Sequence, residues 1–255
     1  MSLKKNLRLV VAIVPLLAIS IMGNSVADAA VATDGKTATT AANLTLLAKS
    51  GPVDPLDPTK PVQPINPVTP TTGDLRIDYI SDLHFGTQEI SGNQKNYYAA
   101  FDKVADLTGH RDEATGEWVT DKLTDADYRD VPNYVQVTNN TTGNWSLKVS
   151  NTPFKSGANE LKGTVLTINE VASKTDNGDP DAGLFTDSIL LKGDGVSDQI
   201  VDQDGNTNPT GTWTIAMGTA TPGSKAVKLT VPGPAEKVAG ETYTSTLNWT
   251  LTAAP

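Results

Sequence analysis

The run Tyr243-Thr244-Ser245-Thr246-Leu247-Asn248-Trp249-Thr250-Leu251 sets Leu247, Trp249 and Leu251 on one side of an extended chain and Thr246, Asn248 and Thr250 on the other. Successive side chains of a strand point to opposite faces, so this alternation predicts a strand with one apolar face. The same period recurs upstream. Leu75, Ile77 and Tyr79 alternate with Arg76 and Asp78, and Trp145, Leu147 and Val149 with Ser146, Lys148 and Ser150. Further runs are Thr164, Leu166 and Ile168, then Trp213, Ile215 and Met217, then Val227, Leu229 and Val231. Turn clusters such as Thr175-Asp176-Asn177-Gly178, Gly193-Asp194-Gly195 and Asp204-Gly205-Asn206 divide them. No window carries a helical period beyond two turns, and Tyr97 to Leu107, the nearest, reads as a strand. The expectation is an all-β domain, a β-sandwich or Greek-key barrel of about eight to eleven short strands. Between Asp106 and Asp130 a polar, charge-dense stretch containing Trp118 leaves this pattern, as a solvated hairpin or as a functional loop.

Ahead of these runs the composition changes. Lys4, Lys5 and Arg8 precede an apolar run from Leu9 to Met22, and Ala27-Asp28-Ala29 supplies small residues, the layout of a secretory signal peptide over residues 1–29. The apolar run is shorter than the roughly 20 residues that cross a bilayer, so no membrane span is expected. Residues 30–50 are rich in Ala and Thr. Pro52, Pro55, Pro58, Pro61, Pro64, Pro67 and Pro70 then recur at every third position, the period of a polyproline II helix. Residues 30–72 therefore read as a flexible and Pro-rich spacer, with the domain at 73–255 sufficient for binding.

Composition excludes several kinds of chemistry. The 255 residues include no cysteine, which rules out disulfides, thiol nucleophiles and thiolate metal sites, and only His84 and His110 as imidazoles. A formal net charge of -9 argues against nucleic acid as a partner, because phosphate binding depends on Lys and Arg. Ile77-Asp78-Tyr79-Ile80-Ser81-Asp82-Leu83-His84 imitates the opening of a metallophosphoesterase, but the further histidines of a two-metal clamp are missing. Asp202-Gln203-Asp204-Gly205-Asn206 lacks the glycine position and the closing glutamate of an EF-hand, and reads as a turn with at most incidental calcium binding, as do Asp176, Asp179 and Asp181. No nucleophile elbow, phosphate loop or dinucleotide fingerprint occurs. No catalysis, cofactor or resident metal is expected.

Two Trp-x-Leu units, Trp145-Ser146-Leu147 and Trp249-Thr250-Leu251, stand in order with Leu75-Arg76-Ile77-Asp78-Tyr79, Phe85-Gly86 and Pro132-Asn133-Tyr134-Val135-Gln136-Val137-Thr138. The ordered set resembles the WxL domain of Gram-positive cell-surface proteins, over residues 52–255, and the spaced prolines are similar to that family's leader. The resemblance implies a secreted protein held non-covalently on the cell wall, with peptidoglycan as ligand and other WxL and WxL-interacting surface proteins as partners. The segment Asn139-Asn140-Thr141-Thr142-Gly143-Asn144 departs from the family's pattern in lacking an Arg before the first unit. In physical terms Trp145 with Leu147, and Trp249 with Leu251, each present one apolar face. Such a face suits a core strand or a sugar-stacking platform.

Overall fold

The computed structural model describes residues 30–31, 38–39, 44, 51–112, 115, 117–176, 184–185, 188–203, 208–219 and 225–253. The signal segment 1–29, Asp179, Asp181 and the turn Asp204-Gly205-Asn206 lie outside the described residues. The chain divides into two units, Met1–Leu47 and Ala48–Pro255. In the first, β1 (Ala30–Val31) pairs antiparallel with β2 (Ala38–Thr39).

In the second unit β3 (Val53–Asp54), β4 (Asp57–Pro64), β5 (Leu75–Ile80), β6 (Lys95–Tyr98), β7 (Asp102–Asp106) and β8 (Tyr128–Val131) come first. They are followed by β9 (Asn133–Asn139), β10 (Trp145–Asn151), β11 (Lys155–Ser156), β12 (Asn159–Glu160), β13 (Val165–Asn169), β14 (Val171–Thr175), β15 (Leu184–Phe185), β16 (Ser188–Leu191), β17 (Asp198–Asp202), β18 (Gly211–Met217), β19 (Val227–Val231) and β20 (Leu247–Ala253). Apart from the β11-β12 hairpin, they build four antiparallel sheets, ordered β3-β4-β7-β8, β14-β18-β9-β5, β16-β13-β19-β6 and β15-β17-β10-β20. The all-β expectation holds. The described strands outnumber the expected eight to eleven, in part because the proline segment forms β3 and β4. Between β7 and β8 the described residues apart from Leu107 are largely exposed, with a bridge between Arg111 and Trp118 and a single 3-10 turn at Asp125–Asp127.

The proline segment requires a correction. Polyproline II and β backbones are both extended, so a three-residue period is compatible with either. Packing decides for β: Val53, Pro58, Val62 and Pro64 are buried, and β4 pairs with β7. Pro61 accepts from the Leu107 amide at 3.0 Å, and Val62 donates to the Pro52 carbonyl at 3.1 Å. By the alternation of that ladder, Pro64 turns its donorless nitrogen away from β7, the placement in which a strand tolerates proline. Residues 53–64 are thus part of the domain rather than a spacer, whereas residues 65–74 are exposed.

These strands cover a sheet that is already covered on its other side. All seven residues of β9 are buried. Val135 and Val137 enter the larger core with Trp213, Ile215 and Met217 of β18, together with Leu147, Leu166, Ile168, Ile189 and Leu229 from the other two sheets. Tyr134, Gln136 and Thr138 face the opposite way, toward the proline strands, where Val62, Tyr79, Val104, Val131 and Tyr134 form a second cluster. Gln136 accepts from the Val53 amide at 2.7 Å and donates to the Gly51 carbonyl at 3.1 Å, and Thr214 donates to the Pro55 carbonyl at 3.0 Å. Buried polar groups demand such partners. The chain between residues 51 and 55 supplies them.

A bulge in β5 divides its side chains between the two cores. Ile77 pairs with Val137 and Tyr79 with Gln136, so the register shifts by one residue between them. An extra residue in a strand flips everything beyond it to the other face. Leu75, Ile77 and Ile80 pack on the larger core, whereas Tyr79 joins the second cluster, with its ring centroid 4.8 Å from that of Tyr134. The expected grouping of Tyr79 with Leu75 and Ile77 is therefore broken. Asp78, 1% exposed, accepts from Arg76 at 2.8 Å and from Thr138 and Gln136.

Two outcomes follow from this packing. Gln136→Ala strands the Val53 amide and the Gly51 carbonyl in the interior, a loss of about 1–3 kcal/mol measurable by chemical denaturation; an unchanged midpoint would show that the proline strands are not anchored there. The second concerns alkaline pH. Burial, and then the bond donated to Asp102 at 2.7 Å, hold the Tyr79 phenol far above its ordinary value near 10.0. The folded state thus favours the protonated form, so the associated stability is intact below about pH 10 and declines as pH rises beyond it. Tyr79→Phe should flatten part of this alkaline decline in melting temperature, and an identical slope in both proteins would contradict the assignment.

Candidate binding site

The two Trp-x-Leu units lie on neighbouring strands. β10 pairs antiparallel with β20, with Leu147 opposite Leu251, Val149 opposite Trp249 and Trp145 opposite Ala253. Trp145, Leu147, Val149, Leu247, Trp249 and Leu251 therefore share one face, directed at the larger core. Their positions in the sheet separate their fates. β10 is interior, with β17 on its other side, whereas β20 is the last strand of its sheet. Trp145 and Leu147 are fully buried, whereas Leu247, Trp249 and Leu251 are only half-buried.

Trp145 is fixed as a core residue. Its indole meets that of Trp213 edge-on, with centroids 6.2 Å apart and planes at 66°. Both indole N–H groups donate to the Pro209 carbonyl, Trp213 at 3.0 Å and Trp145 at 3.4 Å. With no exposed ring face, Trp145 is unable to stack on a ligand.

Trp249 opens instead onto a groove of about 1110 Å³. Leu247, Trp249, Phe85, Tyr97, Phe154 and Tyr243 give it apolar and aromatic surface, and residues 81–90 and 237–246 form its walls. The wall before β20 is braced by Lys237, whose ammonium donates to the carbonyls of Pro232, Gly233 and Ala235, each at 2.9 Å. Gly233 is required at that turn, because a side chain there would strike the Gly92 carbonyl. On the other wall Ser81 is buried, donating to Asp102 and accepting from the Tyr134 amide at 2.9 Å, which fixes where the wall segment begins; within it Leu83 and Phe85 pack against the larger core and Asp82, His84 and residues 86–90 are exposed.

The phosphoesterase-like residues are thereby accounted for. Asp82 and His84 are exposed, lining the groove and a smaller cavity of about 180 Å³ beside Asp102. Among the described residues no group of three or more His, Asp or Glu is placed to hold a metal ion. The groove itself eluded sequence reading because its walls come from two aperiodic segments far apart in the chain. The only local signal was the length of irregular chain after Ile80.

These features belong to a binding domain. A family model described as "WxL domain surface cell wall-binding" matches residues 33–255, and the chain belongs to the WxL family, which binds cell walls at the cell surface and is not a catalytic family. Neither a curated protein nor a solved structure matches the chain significantly. No helix among the described residues is long and apolar enough to cross a membrane.

The difference between the two tryptophans is testable. Trp145→Ala removes a fully buried indole and should cost about 3–5 kcal/mol of stability by denaturant titration. Trp249→Ala should cost less than half as much. Equal losses would show that the groove is closed over Trp249 in solution.

Proposed function

We propose that this chain is a secreted, non-catalytic surface protein held on the Gram-positive cell wall by non-covalent binding of peptidoglycan, with Trp249 as the ligand-side residue and Trp145, Leu147 and Leu251 as its structural counterparts. The observation that carries this reading is the aromatic groove beside β20, on a domain whose family binds cell walls. Half-exposed rings beside polar backbone suit saccharides, whose C–H faces stack on aromatics while their hydroxyls take hydrogen bonds. Export depends on residues 1–29. Attraction between opposite charges does not drive attachment, since the chain carries a net charge of -9 and wall teichoic polymers are also anionic.

A second reading, attachment through partner proteins such as other WxL and WxL-interacting surface proteins, is favoured by the position of β20 as an edge strand. Sedimentation of the mature protein with purified, protein-free walls separates the two. The expected result is cosedimentation that persists in about 1 M salt and is reduced by Trp249→Ala at unchanged fold. A protein that stays in the supernatant until a partner is added supports the second reading instead.

A further inference from the structure

The free edge of β20 carries more than exposed apolar surface. The Thr152 amide donates to the Thr246 carbonyl at 3.0 Å, and β10 and β20 continue in the same register, from Asn151 opposite Leu247 to Trp145 opposite Ala253. Residues of an antiparallel pair alternate between exchanging hydrogen bonds and facing away. Asn248, Thr250 and Thr252 therefore bond to β10. The amides and carbonyls of Leu247, Trp249, Leu251 and Ala253 point to the opposite side, where among the described residues no strand is paired. A row of unpaired donors and acceptors is a template for another strand, and it runs beside the groove that Leu247 and Trp249 line.

Charge narrows the occupant. Asp82, Glu89 and Glu241 are exposed on the groove's walls. The lysine among them, Lys237, is committed to three backbone carbonyls. His84 is the remaining basic side chain of the lining. We propose that the outer edge of β20 receives an extended, basic segment of a partner polypeptide as an added strand. Alternate side chains of that segment enter the groove over Trp249 and Leu247, and its lysines or arginines reach the carboxylates. Main-chain bonds give such an interaction its affinity and the alternate pockets its selectivity. This inference rests on the partner-protein reading and not on peptidoglycan.

The test uses the whole mature chain and a short, end-capped peptide alternating Lys and Val, labelled for fluorescence anisotropy. Saturable binding is expected, with slowed amide exchange at Leu247, Trp249, Leu251 and Ala253. N-methylation of the peptide amides that face β20 should weaken binding by about tenfold or more, whereas N-methylation of the alternate set should not. A Glu-Val peptide, or the double variant Glu89→Lys with Glu241→Lys, should likewise weaken it, and so should added salt. Equal binding of both N-methylated peptides, protection of other amides, or no binding by the unmodified peptide would overturn the inference. Parallel sedimentation with protein-free walls keeps the two readings apart. Wall binding without peptide binding overturns only the added strand, and peptide binding without wall binding supports it while removing peptidoglycan as ligand.

Discussion

Gln136 is the residue on which the domain's layering depends. It sits on a strand covered on both faces, so its amide group has to be satisfied from within the protein. The partners come from the backbone at Gly51 and Val53 and from the Asp78 carboxylate. A segment that looks separable from the domain is for this reason its outer layer. The second cluster around Val62, Tyr79 and Tyr134 forms only because that layer is in place.

The same reasoning separates the two signature units. Equivalent in sequence and paired in space, they differ by one position in a sheet. The interior strand buries its apolar face completely, and the edge strand leaves its own apolar face half covered and its outward backbone groups unpaired by any described strand. A motif that marks a fold at one site can thus mark a surface at the other, without any change in the residues that compose it.

Much of the fold was legible in the sequence because period two survives wherever one face of a strand meets the core. Trp145, Leu147 and Val149, and Trp213, Ile215 and Met217, occupy the faces their alternation indicates. Tyr79 does not, because a bulge of one residue is invisible to a periodicity count. The prolines misled for a related reason: polyproline II and β strand share nearly the same backbone, and only burial by distant residues tells them apart. By alternation alone the face of Trp249 suits a core strand or a stacking platform. Alternation reveals which face a side chain takes, whereas strand order in the sheet decides how well that face is covered. The groove, built from segments more than a hundred residues apart, left no local trace beyond the irregular chain after β5.

The four tryptophans fall into two environments as a result. Trp145 and Trp213 are paired in a dry interior and bonded to one carbonyl, an environment in which indole emission lies toward the blue. Trp118, with Arg111 5.5 Å from its ring, and Trp249 on the groove are open to water, an environment in which it lies further to the red. The red side of the emission band therefore watches the surface while the blue side watches the core. The protein carries its own reporters for telling occupancy of the groove from loss of structure.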